Sequence, residues 1–246
     1  MLYGIIDMGS NSVRLSIFRE ENGVITQVIG KKVMAGLAGY VKKGRLTQSG
    51  IERACLALEA LREILENFNV DGAGIFATAS LRNICNQDEV LNQMQRVTGI
   101  TPEIISGKEE ARLDFIGATR FYPMEKGLLA DIGGGSTELV WFDGKGPRDL
   151  LSIPMGSLAL HTQFVSGLIP GEKEREKMRK AIKEQLDAVD WPVEKGASVC
   201  GIGGTMRMSL QLCQELLGLP KDGARFTAEE LDRVISQAGR AVSSFV

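Results

Sequence analysis

The sequence predicts an α/β protein built from two related lobes. The frame Asp-x-Gly-x-x-Ser-x-x-Leu occurs twice, as Asp7-Met8-Gly9-Ser10-Asn11-Ser12-Val13-Arg14-Leu15 and as Asp131-Ile132-Gly133-Gly134-Gly135-Ser136-Thr137-Glu138-Leu139. Apolar runs flank each copy, residues 2–6 and 15–18 around the first and 128–130 and 139–142 around the second. Each copy therefore reads as strand, tight turn, strand. Elsewhere short apolar runs alternate with amphipathic stretches, the pattern of parallel strands joined by right-handed crossovers. A chain of 246 residues can bury a real core as one large domain or two smaller ones. The repeat selects two lobes, residues 1–121 and 122–246.

In chain order, residues 2–6 and 13–18 are paired strands, and a third strand over 24–33 follows the Asn22-Gly23 hairpin signal. Thr47 or Ser49 opens a helix reaching Phe68, with Ser49 and Glu52 at capping-box spacing. Ile51, Ala54, Cys55, Leu58, Leu61, Leu65 and Phe68 recur at the helical period and form its apolar stripe. Residues 74–79 make a short buried strand, 87–97 a helix stopped by Gly99, and 103–105 a strand. A helix over 108–119 is entered through the Ser106-Gly107 turn. The second lobe repeats the program, with strands over 127–132 and 137–142, an Asp143-Gly144 turn, and a strand through 150–153. Helices follow over 157–165 and 172–188. The mixed charges between Glu172 and Glu184 mark a solvated face. Residues 198–202 form a strand, Gly203-Gly204-Thr205 opens a helix to Leu217, and Thr227 with Glu230 caps a final helix running to the C-terminus.

The net charge of −2 argues against a general nucleic-acid binder, which carries a basic excess. Cys55, Cys85, Cys200 and Cys213 are scattered, with no C-x-x-C pair, as expected of reduced thiols. The N-terminus has no basic leader, and no segment holds the ~18 uninterrupted apolar residues of a membrane helix. A soluble, cytoplasmic protein is expected, with no membrane or nucleic-acid partner.

Glycine allows close backbone approach, and consecutive N–H groups in a turn form an anion-binding concavity. A structural hairpin needs one or two glycines, so Gly133, Gly134 and Gly135, followed by Ser136 and Thr137, read as a phosphate loop. Asp7 and Asp131, each ending the strand before its turn, are placed to hold a cation beside a polyanion. Arg14 and Glu138 are equivalent positions. The arginine suits bidentate phosphate contact and the carboxylate suits a metal or a water, an outward-facing strand residue being the alternative at each. Arg82, followed by Asn83 and Asn86, lies past a strand end, where open sheets place ligands; a surface arginine is the alternative. Gly203, Gly204 and Thr205 offer helix-start amides to an anion, or close packing. Glu109 and Glu110 open a helix. Acidic residues there complement the dipole, but helix neighbours diverge by about 100°, so one of the two can face a cleft as a base. His161, the only histidine, reads as a packing or surface residue, which argues against triad or zinc chemistry. Met206 and Met208 read as core.

Asp7 through Leu15, Thr78-Ala79-Ser80-Leu81-Arg82 with Asn86, Ile105-Ser106-Gly107-Lys108-Glu109-Glu110-Ala111-Arg112-Leu113, Asp131 through Glu138, and Gly203-Gly204-Thr205 together resemble the exopolyphosphatase/guanosine pentaphosphate phosphohydrolase (Ppx/GppA) family. The resemblance spans almost the whole chain, in the family's motif order. It implies the two-lobed actin-like ATPase (ribonuclease H-like) fold with a central interlobe cleft. The family continues beyond the equivalent of Val246, so the resemblance implies a second lobe shortened at the C-terminus. Asn83-Ile84-Cys85-Asn86 also departs from the family's usual alanine before the asparagine.

Carried over by position, the resemblance implies that Glu110 activates water, while Asp131 and Glu138 are catalytic and, with Asp7, hold metal. Ser10, Asn11, Ser12, Arg14, Arg82, Gly133, Gly134, Gly135, Ser136, Thr137, Gly204 and Thr205 would contact phosphate. The implied cofactor is Mg²⁺. The implied partners are inorganic polyphosphate or guanosine pentaphosphate, with a homodimer as the candidate assembly. The implied reaction is release of the terminal phosphate of polyphosphate or of the 5′-γ-phosphate of guanosine pentaphosphate. A non-catalytic alarmone or polyphosphate sensor and an ATP-dependent kinase of the same superfamily are the alternatives.

Overall fold

In the computed structural model, residues 1–122, 124–192 and 197–243 are described. The first part of the chain runs β1 (Leu2–Met8), β2 (Ser12–Glu21), β3 (Val24–Met34), a 3-10 turn (Leu37–Tyr40), β4 (Val41–Lys42), β5 (Arg45–Leu46), α1 (Gln48–Asn67), β6 (Gly72–Ala77), α2 (Ala79–Arg82), α3 (Gln87–Thr98) and β7 (Glu103–Ile104). The remainder runs α4 (Gly107–Phe121), β8 (Gly127–Ile132), β9 (Thr137–Asp143), β10 (Gly146–Ile153), α5 (Ser157–Phe164), α6 (Glu172–Asp187), β11 (Val199–Ile202), α7 (Gly203–Leu217) and α8 (Ala228–Ser243).

The first sheet has the order β3-β2-β1-β6-β7, with β1 to β3 antiparallel and β6 and β7 added in parallel. The second has the order β10-β9-β8-β11, again a three-stranded antiparallel meander with a parallel strand beside its first member. The repeat therefore extends to topology. Each meander also skips one residue of its third strand: Val28 falls between Ile17↔Ile29 and Phe18↔Gln27, and Arg148 between Pro147↔Phe142 and Asp149↔Trp141. These irregularities sit on edge strands, where an unpaired residue and a proline are tolerated.

Alternation at period two buries Ile6 and Met8 on β1 and Val13, Leu15 and Ile17 on β2, all completely. The α1 stripe from Ile51 to Leu65 covers them, and Leu65 occupies the space a side chain at Gly4 would need. Burying each such Leu, Ile or Met stabilises by about 1.5–3 kcal/mol, so β1 and β2 are rigid supports for the turn between them. The second sheet is covered on both faces. Leu129, Val140 and Phe142 pack with Ala111, Phe115 and Ala118 of α4, while Ala130, Leu139 and Ile153 pack with Met155 and Trp191. Thus α4, which ends at residue 121, lies on the second sheet.

Several sequence expectations need correction. The α1 cap is Thr47, whose Oγ1 accepts from Gly50 N–H at 3.3 Å, rather than Ser49. The reason is the β4–β5 hairpin, absent from the sequence reading, which fixes Thr47 through its N–H to Tyr40 O (3.0 Å). Two-residue strands carry no periodicity. Phe68 is the C-cap of α1 and 40% exposed, so the stripe ends at Leu65. Met208 is 55% exposed on α7, not core. At α8 the expected box is complete: Glu230 N–H donates to Thr227 Oγ1 (3.1 Å) and Thr227 N–H to Glu230 Oε2 (2.7 Å). The part of the last helix expected over 244–246 lies outside the described residues. Among the described residues no helix is long and apolar enough to cross a membrane, and the four cysteines are free thiols.

Candidate active site

The two Asp-x-Gly-x-x-Ser turns have one geometry. Asp7 pairs in register with Arg14 and Asp131 with Glu138. Gly9 N–H donates to Ser12 O and Gly133 N–H to Ser136 O, each at 3.0 Å. The turn carbonyls are spent on supporting elements. Ser10 O and Asn11 O accept from Ala38 (2.9 Å) and Gly36 (2.8 Å); Gly133 O accepts from Ser157, and Gly134 O from Leu158 and Ala159, all at 2.9 Å. Carbonyl lone pairs that would repel an anion are thereby satisfied elsewhere.

The turns also meet across the lobes. A Cβ at Gly135 would collide with Ser10 Oγ and lie 3.2 Å from the Cβ atoms of Ser10 and Ala79; at Gly134 it would lie 3.5 Å from Ser10 Cβ. Only glycine allows this tip-to-tip approach, and Ser10 is buried beneath it. Gly156 backs the second turn just as closely, because a Cβ there would overlap the Gly134 backbone.

Carboxylates gather beside the turns. Asp7 and Asp131 end β1 and β8, Glu138 lies on β9, and Glu110 stands in the first turn of α4, whose cap Ser106 Oγ accepts from Glu109 N–H (3.1 Å). Glu109 points away into an exposed pair with Arg112 (2.6 Å), whereas Glu110 accepts from Arg82 Nη1 at 2.7 Å. The two neighbours diverge as helix geometry requires. Arg82 reaches further: Nη1 donates to Ile105 O (3.2 Å), Nη2 donates to Ser152 Oγ (3.3 Å), and Nη2 lies 3.5 Å from Glu138 Oε1. Ser152 Oγ in turn donates to Glu138 Oε1 at 2.7 Å.

Crowding perturbs these acids. Burial of its carboxyl surroundings and then Glu110 push Asp7 up to about 6 against the opposing pull of Arg14, even though the residue as a whole is exposed. Burial and Glu110 also raise Asp131, while Arg207 and Arg14 counter. Glu138, 2% exposed, is raised by burial and Glu110, with hydrogen bonds from Ser152 and Ser136 opposing. Asp114 is pushed up to about 8, chiefly by burial and then by Asp131, Glu110, Glu138 and Asp7. Its Oδ2 is shielded from solvent and has no hydrogen-bond partner among the described residues.

The remaining expected phosphate contacts have these surroundings. Thr137 Oγ1 donates to Met155 O (2.6 Å), within the second lobe. A Cβ at Gly204 would meet nothing within 4 Å among the described residues, and Thr205 O accepts from Ser209 Oγ (3.0 Å). Gly203 has φ +84°, and a Cβ there would collide with Asp131 Oδ1. Gly203→Ala is therefore expected to cost about 1–3 kcal/mol and to displace Asp131; chemical denaturation alongside an activity assay checks both. His161 Nε2 sits 3.2 Å from Leu168 O, outside this cluster.

Asp114, Ser152 and Arg207 were missed by sequence reading. Two had a signal: Asp114 follows Glu110 at i+4 on one helix, and Ser152 is the cross-strand partner of Glu138.

Among the described residues no three His, Cys, Asp or Glu side chains form a ready metal cage. Mg²⁺ needs only one or two carboxylates, together with substrate phosphates and water. Asp7, Asp131 and Glu138 supply oxygen donors alone. Asp131 repels Asp7, and Glu110 presses on all three, crowding of the kind a cation relieves, so oxygen donors from this group suit the ion.

Two lobes of matching topology, whose duplicated glycine turns meet tip to tip, define a two-lobed actin-like ATPase fold. The Ppx/GppA phosphatase family model matches residues 16–243, and the chain belongs to that family. An exopolyphosphatase from Cytophaga hutchinsonii is similar at 25% identity and TM-score 0.84, over 96% of this chain and 79% of that one. A Ppx/GppA family member from Aquifex aeolicus is similar at 26% identity and TM-score 0.68, over 94% and 72%. A PilM–PilN type IV pilus biogenesis complex, at 12% identity and TM-score 0.54 over 95% and 94%, shares the fold alone.

Proposed function

We propose that the protein is a phosphohydrolase that removes the terminal phosphate of a linear polyphosphate or the 5′-γ-phosphate of guanosine pentaphosphate. The observation that carries this reading is the tip-to-tip approach of the duplicated turns beside Glu110. The similarity to an exopolyphosphatase supports the substrate class.

Backbone amides of the two turns, with Ser10, Ser12, Ser136 and Arg14, hold the phosphate chain. Asp7, Asp131 and Glu138 would hold Mg²⁺, which when bound neutralises phosphate oxygens. Arg82 exchanges its carboxylate partners for a phosphate oxygen. Glu110, released from Arg82, accepts a proton from water as that water's oxygen bonds to the terminal phosphorus. The bridging P–O bond breaks, and the shortened chain leaves with the electron pair. In-line displacement asks the protein mainly for positioning and charge stabilisation, with the base adding about 10²–10⁴-fold.

Phosphate release measured on polyphosphate, guanosine pentaphosphate and ATP, with and without Mg²⁺, tests the reading. Metal-dependent release from one of the first two is expected. Release from ATP alone would refute the substrate assignment. Tight polyphosphate or nucleotide binding without turnover would favour a sensor, and a phosphorylated acceptor formed from ATP would favour a kinase.

A further inference from the structure

We propose that Ser152 is a positioning residue of the hydrolytic site, tying the second-lobe carboxylate Glu138 to the first-lobe guanidinium of Arg82. The proposal rests on the phosphohydrolase reading above. Ser152 lies in β10, directly opposite Glu138 of β9 in the strand register. Its hydroxyl donates to Glu138 Oε1 at 2.7 Å and accepts from Arg82 Nη2 at 3.3 Å. One side-chain oxygen thus joins a cation from the first sheet's α2 to a carboxylate of the second sheet.

The local packing holds that hydroxyl in place. Gly107 begins α4 directly over Ser152: a Cβ at position 107 would collide with Ser152 Cβ and lie 2.6 Å from its Oγ. The helix that carries Glu110 is therefore seated on Ser152, so the residue touches the supports of Arg82, Glu110 and Glu138 together. Glu138 is buried and lies within a cluster of like charges. Without the hydroxyl, its carboxylate loses a short donor on Oε1, and Arg82 loses the acceptor that steadies Nη2. A buried carboxylate left short of donors turns toward whatever partner remains.

Partners that orient metal-binding side chains are worth about 10–100-fold in metal affinity or rate. Ser152→Ala is expected to lower kcat by about that factor and to raise the Mg²⁺ concentration at half-maximal rate, with thermal stability close to wild type. Ser152→Cys keeps the size and packing but offers a weak donor, so it is expected to resemble the alanine variant. Mn²⁺ binding without substrate, followed by electron paramagnetic resonance, gives a readout independent of turnover and should weaken in both variants.

Wild-type kcat and Mn²⁺ affinity in Ser152→Ala would overturn the proposal, as would full recovery in Ser152→Cys, which would leave Ser152 a packing residue only. A wild-type protein that releases no phosphate and binds no Mn²⁺ would instead overturn the phosphohydrolase reading, and this proposal with it.

Discussion

Glu110→Gln is expected to slow phosphate release by about 10²–10⁴-fold while leaving polyphosphate binding intact. The amide oxygen of glutamine still accepts from Arg82 Nη1, which the carboxylate engages at 2.7 Å, so the cleft keeps its shape while the proton acceptor is gone. A second consequence separates this variant from a merely damaged one. Glu110 is among the causes that raise Asp7, Asp131 and Glu138, so its neutralisation should bring all of them back toward the ordinary carboxylate range. The pH at which metal binding becomes half-maximal should fall accordingly. Initial rates by phosphate detection and metal titrations at several pH values measure both effects, and a wild-type rate would remove Glu110 from the base role.

The largest stability effect is expected at Asp114. The folded chain keeps this proton up to about pH 8, whereas the ordinary carboxyl releases it at 3.8. Across that window the native state binds more protons than the unfolded state, so stability falls as pH rises, by about 1.4 kcal/mol per pH unit while the difference lasts. Asp7, raised to about 6, acts with the same sign over the lower part of the window. Without metal, the protein should be more stable near pH 5 than near pH 8 by roughly that slope. Asp114→Asn mimics the protonated acid and should flatten the upper part of the curve. For a chain of this size each kcal/mol moves Tm by about 2–4 °C, so a rise of several degrees near pH 8, with a smaller rise near pH 5, is expected in thermal scans. Parallel curves for variant and wild type would show that Asp114 ionises normally.

Sequence legibility followed the length of the signal. The Asp-x-Gly-x-x-Ser frame fixed both turns, and with them the register pairs Asp7–Arg14 and Asp131–Glu138, because a strand-turn-strand unit is local. The α1 stripe and the Thr227–Glu230 cap were readable for the same reason. Contacts made over long sequence separations were not. Nothing around Ser152 advertises its bond to Arg82, 70 residues earlier, and the i+4 spacing of Asp114 from Glu110 puts the two on one helix face without showing that Asp114 is pressed by Asp131, Glu138 and Asp7 as well. Glu109 and Glu110 could not be told apart by position alone. The structure separates them because Glu109 meets Arg112 on the outer face while Glu110 meets Arg82. The β4–β5 hairpin escaped notice because strands of two residues cannot show a period, yet it decides which hydroxyl caps α1.

The account depends on both duplicated turns addressing one phosphate chain. A crystal structure of Glu110→Gln with a short linear polyphosphate and a divalent cation tests this most directly. Density for the terminal phosphate is expected against the main-chain amides of residues 10–12 and 134–137 together, with the cation beside Asp7, Asp131 and Glu138. Phosphate bound to one turn only, or at a site remote from Glu110, would contradict it.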